Sequence, residues 1–311
     1  MIVKLFVKDE RLRPFVRVLI FAVAVLLLTA SLVAIVDAVF RRPPTAELSL
    51  SDIIVGEVAL AVSAVIVAYI LRRYLDRRSI ASLGLPPRGR WLRLFGLGIV
   101  FGAGMQSIIW AIESASGAAH VTGYGGFMGD VRLLAAAGTV FFAGALFEEM
   151  SFRGYALQNL WEEWGIIPAI VVTSVGFAAL HFSNPHAREQ TILTVADLVT
   201  FALWACMSVV WTKSLWLALG AHAAWNLFEG PVFGLPVSGL VMPTRTIVVQ
   251  TVNGPAWLTG GSFGPEAGVS ALAALVVGFL VLRFLHSKGA FADALDMREA
   301  YAKTQAAARR Q

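Results

Sequence analysis

The sequence predicts an all-α, polytopic membrane bundle of about eight transmembrane helices. Three observations carry that expectation. Of 311 residues, 58% are hydrophobic and only 14% are charged, with a mean hydropathy of +0.73. A soluble domain carries about 25% charged residues. Several apolar runs approach the roughly 20 residues that a helix needs to cross a bilayer. The basic residues cluster at the N-terminus, in one early loop and in the C-terminal tail, a pattern of membrane orientation and not of nucleic-acid binding. A β-barrel is excluded by the solid apolar runs, since barrel strands show ten-residue alternation. The lone Cys206 excludes an intrachain disulfide and a cysteine-based metal site.

The elements follow in order. Behind a basic start with Lys4, Lys8, Arg11 and Arg13, a first helix is expected from Phe15 to Phe40. Its apolar core, Val18 to Val36, outruns the 7–15 residues of a signal h-region, so it reads as a retained span ended at Arg41-Arg42-Pro43-Pro44. The second span runs from Ile53 to Leu71, with Glu57 near its start facing the interface. The loop with Arg72, Arg73, Arg77, Arg78, Arg88, Arg90 and Arg93 is the most basic in the chain and is therefore expected in the cytoplasm, together with both termini. The third span, Leu92 to Ile112, has Trp91 and Trp110 near its ends; residues 113–130 form a Gly-rich outer stretch. The fourth, Val131 to Leu160, leads to an inner turn, Trp161-Glu162-Glu163-Trp164-Gly165, whose acids are expected to be solvated. The fifth (Ile166 to Phe182), sixth (Thr191 to Trp211) and short seventh (Leu215 to Phe228) follow. Residues 230–265 read as an outer Gly- and Pro-rich loop, and Gly268 to Leu285 as the eighth span. We see one integral membrane domain over 1–311, with a motif core at 131–229 and a cytoplasmic tail at 287–311. No internal repeat is visible, which disfavours a transporter built on inverted repeats.

The polar groups inside the fourth span are the functional signal. A charge near the bilayer centre costs roughly 2.5–3.5 kcal/mol, yet Glu148, Glu149 and Arg153 all lie there. Glu149 and Arg153 are four apart and share a helix face, so they are expected to form an ion pair. Glu148 is turned about 100° away and is left for chemistry. The plain alternative is a structural pair with Glu148 snorkelling to water. Two further spans carry histidine: His181, and His222 with Asn226 one turn on. Rise arithmetic puts Glu148 about 18 Å and His181 about 21 Å from their shared inner turn, and His222 only about 12 Å from its helix start. A base, a second water-holding group and donors for an oxyanion are what amide hydrolysis needs. His120, His186 and His286 read as surface residues.

These residues resemble the CPBP intramembrane proteases, a family that includes CAAX prenyl endopeptidases and bacteriocin-processing or immunity proteins. Glu148-Glu149-Met150-Ser151-Phe152-Arg153 resembles its EExxxR motif, Phe177 to His181 its FxxxH motif, and His222 to Asn226 its third motif, in the family's order. Ser82-Leu83-Gly84-Leu85 resembles a loop common there. The resemblance implies an endopeptidase acting at or within a bacterial cell membrane, on a membrane-associated peptide or protein substrate, with lipids and no nucleic acid as partners. It gives Glu148 and His181 the activation of water, and His222 and Asn226 the oxyanion, with Glu149, Arg153 and Phe177 in support. It leaves open a metal-free hydrolase or a metalloprotease with one divalent ion, zinc, on Glu148, His181 and His222, a ligand set that suits zinc. The alternative function is a non-catalytic immunity or scaffold protein that binds a partner's helix.

Overall fold

A computed structural model describes residues 6–8, 11–40, 49–85, 90–125, 130–241 and 246–292. The expected end of the first helix at 41–44, Arg88, and the tail beyond 292 lie outside the described residues. A two-stranded ladder, β1 (Val7–Lys8) with β2 (Arg11–Leu12), leads into α1 (Pro14–Phe40). Pro14 opens the helix where its missing N–H costs nothing. A capping box at Ser49 and Asp52 starts α2 (Leu50–Ile70): Asp52 accepts from the Ser49 amide at 2.8 Å. Then come α3 (Trp91–Ala115), β3 (Ala119–Tyr124) and α4 (Val131–Glu149), whose first amides are capped by Asp130. Helices α5 (Leu157–Trp164), α6 (Ile166–His181), α7 (Thr191–Thr212) and α8 (Trp216–Leu227) complete the centre; β4 (Val248–Val252) and α9 (Val269–Ser287) close the described chain.

All eight expected segments are helical. Five of them, in α1, α2, α3, α7 and α9, are long and apolar enough to cross a membrane, while Ile166–His181 is apolar but shorter. Their outward residues, such as Leu26 at 64%, Val100 at 67% and Ile167 at 72% exposure, form the apolar surface that a bilayer covers. The fourth segment is helical without a break from Val131 to Trp164, but wide π turns at Met150–Ala156 lie between α4 and α5. Similar π turns extend α2 over Leu71–Leu75 and α8 over Phe228–Val232. Where a Gly-rich outer stretch and an outer loop were expected, β3 pairs antiparallel with β4, Ala119 opposite Val252 and Tyr124 opposite Val248. That pairing joins segments over a hundred residues apart, which local periodicity does not register.

Two features fix the bundle around its centre. Helix α8 lies directly on α3: a Cβ on Gly98 would meet the Leu217 carbonyl, one on Gly102 the Ala221 carbonyl, and one on Gly220 the Phe95 carbonyl. Small residues four apart are the usual means of such close crossing in membranes. At one end, Arg72 holds Asp76 at 3.2 Å and Glu162 at 2.9 Å, Arg13 holds Glu163 at 2.9 Å, and Tyr155 and Asn159 donate to Asp76. The turn glutamates therefore pair with arginines instead of being simply solvated. At the other end, the Asn184 amide donates to the Ser238 carbonyl at 3.0 Å, and Ser238 and Trp225 both donate to Glu266.

Candidate active site

Glu148 and Glu149 are the last two residues before the π turn, and their side chains diverge. Glu149 points into packed protein and is 1% exposed, whereas the Glu148 side chain is 18% exposed and faces a cavity. Glu148 Oε1 lies 3.8 Å from His181 Nε2, and Oε2 lies 3.7 Å from His222 Nε2. These separations are too long for direct hydrogen bonds and short enough for one water to touch both groups. Asn226, one turn beyond His222, lines the same cavity, so the structure brings all four expected residues to one space of about 550 Å³.

Each histidine is held by its far nitrogen. His181 Nδ1 lies 2.9 Å from the Phe177 carbonyl. A carbonyl only accepts, so Nδ1 carries the proton and Nε2 presents its lone pair to the cavity. His222 Nδ1 donates to Glu149 Oε1 at 2.9 Å, and the same oxygen accepts from Arg153 Nη1 at 3.0 Å. Glu149 thus does more than the expected ion pair: it sets the tautomer and orientation of His222. Phe177 underlies the arrangement, with the Arg153 guanidinium 4.5 Å from its ring centre and the His181 ring at 4.6 Å. Phe201 from α7 packs edge-on to His222 at 4.9 Å.

The expected shallowness of His222 disappears because α8 starts inside the protein. Thr212, Ser214 and Leu215 are buried, and the Leu215 amide donates to the Gly84 carbonyl at 2.8 Å. His120, His186 and His286 are exposed and outside the cavity lining.

Sequence reasoning missed three groups. Glu57 was placed at the interface, but it lines the cavity, and a Cβ on Gly144 would lie 3.1 Å from its Oε2. Gly144 is one helical turn before Glu148, so the two carboxylates share one wall. Phe201 carries no polar label that could have marked it. Glu113, Asp197, Glu229 and Glu266 form a third, buried acidic set beside the cavity; Gln106 donates to Glu229 at 3.0 Å and Ser270 to Glu113 at 2.8 Å. Each lies near a helix end, where an acid has an ordinary solvated explanation.

His181, His222 and Glu148 are donors of the kind zinc takes. As arranged, however, no three His, Cys, Asp or Glu side chains among the described residues are disposed to hold a metal ion.

With this geometry in place, the chain can be set beside known proteins. Residues 130–228 match the family model of Type II CAAX prenyl endopeptidase Rce1-like proteins. The Rce1-like segment takes in every site residue from Glu148 to Asn226, about a third of the chain, and it agrees with the CPBP resemblance. A protein of Bacillus subtilis (strain 168), described as Uncharacterized protein YyaK, is 34% identical over 86 residues, 26% of this chain. The matched stretch spans 27% of that relative's length. No solved structure matches.

Proposed function

We propose that the protein is an intramembrane endopeptidase that hydrolyses a peptide bond at or within the membrane. The observation that carries this reading is the convergence of Glu148 on both histidine Nε2 atoms inside one water-sized gap. A water held there donates one hydrogen to Glu148 and one to His181 Nε2. Glu148 takes the proton as the hydroxyl attacks the carbonyl carbon. The developing oxyanion is met by the Asn226 amide, which donates without any change of charge. His222 donates from Nε2 when it carries the second proton, and the Glu149 carboxylate behind Nδ1 steadies that imidazolium as a buried acid steadies a catalytic histidine. Protonated Glu148 then returns its proton to the leaving amine. Electrostatic donors fixed in a low-dielectric site are worth most because they need no reorganisation during reaction.

The family description supports the peptidase reading for the matched segment. The test is a peptidase assay of purified protein against a library of membrane-anchored peptides, with Glu148→Gln as control. Cleavage that vanishes in the variant supports the proposal. Binding of a partner helix without cleavage by either protein would replace it with the scaffold reading.

A further inference from the structure

The cavity opens at one end of the bundle, and that end is not the basic one. Its wall is built from the first turns of α2 (Asp52 to Leu60), the second half of α4 (Val140 to Glu148), the end of α6 with Asn184, the early turns of α7, and Val237 to Val241. At the rim Leu240 is 50% and Val241 80% exposed. Beneath Glu148 the way is closed: Met150, Arg153, Tyr155 and Asn159 are all at most 1% exposed. Beyond that floor lie Arg72, Arg73, Arg77, Arg78, Arg90, Arg93 and Lys213, at the opposite ends of the same helices. By sequence, the connections at the cavity end hold only Arg41, Arg42, Arg188 and Arg245, with Arg132 opening α4. Arginine and lysine excess marks the cytoplasmic side of a membrane protein. The cavity mouth therefore faces away from the cytoplasm.

The charge of the wall adds a second constraint. Asp52, Glu57, Glu148 and Glu266 line the cavity, and among the described residues no lysine or arginine does. An acidic segment brought into this space would face like charges in a poorly screened site, which is a strong basis for rejection.

Resting on the peptidase reading above, we propose that the substrate is a membrane-anchored polypeptide whose scissile bond lies on the non-cytoplasmic side, and that the stretch it presents to Glu148 is neutral or basic, not acidic. Among the described residues, the buried Met150, Arg153, Tyr155 and Asn159 stand between Glu148 and a lipidated chain end at the basic face.

Sidedness and cleavage are measured separately. In a Cys206→Ala background, Val241→Cys and Tyr74→Cys place single thiols at the rim and at the basic end, where Tyr74 is 70% exposed. Intact cells are treated with a membrane-impermeant maleimide. Val241→Cys is expected to label at once, and Tyr74→Cys only after permeabilisation; the reverse overturns the proposal. The protein is then reconstituted into phosphatidylethanolamine–phosphatidylglycerol vesicles, with orientation read from Val241→Cys labelling. Two single-span peptides with lysine or glutamate flanks on an external segment serve as substrates. Cleavage should follow the fraction with Val241 outside and favour lysine flanks by at least about tenfold. Cleavage that follows the opposite orientation, or equal rates for both peptides, refutes the proposal and leaves the peptidase reading standing. No cleavage in vesicles or detergent, with Val241 labelled from outside, overturns the peptidase reading and the substrate proposal with it.

Discussion

Glu149 serves two partners with one oxygen, and a paired substitution separates the two roles. Glu149 and Arg153 are 1% and 0% exposed. Removing the carboxylate alone strands a buried guanidinium, at a cost of about 3–5 kcal/mol. The Phe177 ring, 4.5 Å from the Arg153 carbon, offsets about 2 kcal/mol of that as a cation–π contact. Glu149→Leu should therefore melt well below the native protein. Replacing both partners with apolar residues of similar volume is often neutral, so Glu149→Leu with Arg153→Met should recover most of the lost stability. It should not recover activity. His222 Nδ1, 2.9 Å from Glu149 in the native protein, has lost its orienting partner, and loss of the acid behind a catalytic histidine lowers the rate by up to about 10⁴-fold. The assay is melting temperature and peptidase rate for native, single and double variants in one detergent. A single variant as stable as native, or a double variant with native rate, would show that Glu149 does not hold both groups as argued.

Three other outcomes are expected. Glu148→Gln and His181→Ala should stay folded, with unchanged melting temperature, and lose about 10²–10⁴-fold in rate; unfolding of Glu148→Gln would give that residue a structural role instead. Gly102→Val should push α8 off α3, because even a Cβ meets the Ala221 carbonyl; overpacking of this kind costs about 1–3 kcal/mol, and a displacement of His222 by about 1 Å costs roughly 10²-fold in rate, both read from the same melting and peptidase measurements. Gly144→Ala should fold normally but turn over more slowly, since its methyl contacts the Glu57 carboxylate at 3.1 Å; a native rate would remove Glu57 from the working wall.

The parts of this architecture written in local spacing were legible in the sequence. Glu149 and Arg153 stand one helical turn apart, and their pair is present at 3.0 Å. The apolar runs gave the helices nearly to their ends, with α1 found at Pro14–Phe40 and α9 at Val269–Ser287. What depends on contacts between distant segments was not legible. The Glu149–His222 bond spans 73 positions, and no periodicity encodes it. Glu57 looked like an interfacial acid because its position seven residues into α2 has a solvent explanation; only the bare Gly144 opposite reveals where it points. Rise arithmetic left the depth of His222 open between a tilted helix and a deeper helix start, because it counts from a start whose depth the sequence does not give; the buried Ser214–Leu215 start of α8 supplies that depth.

The π turn after Glu149 also acts as a phase shifter. Each residue added to or removed from a helix rotates everything beyond it by about 100°. Met150–Ala156 links two constellations that must both face inward: Glu148 and Glu149 just before it, toward the histidines, and Tyr155 near its end with Asn159 just after it, toward Asp76 at the basic end. Regular α-helix through this stretch would satisfy one and turn the other away. Chain length here is thus a constrained quantity in its own right. Natural variants of the protein should tolerate changed side chains at Ser151 or Phe152 far better than a single-residue insertion or deletion between Met150 and Ala156.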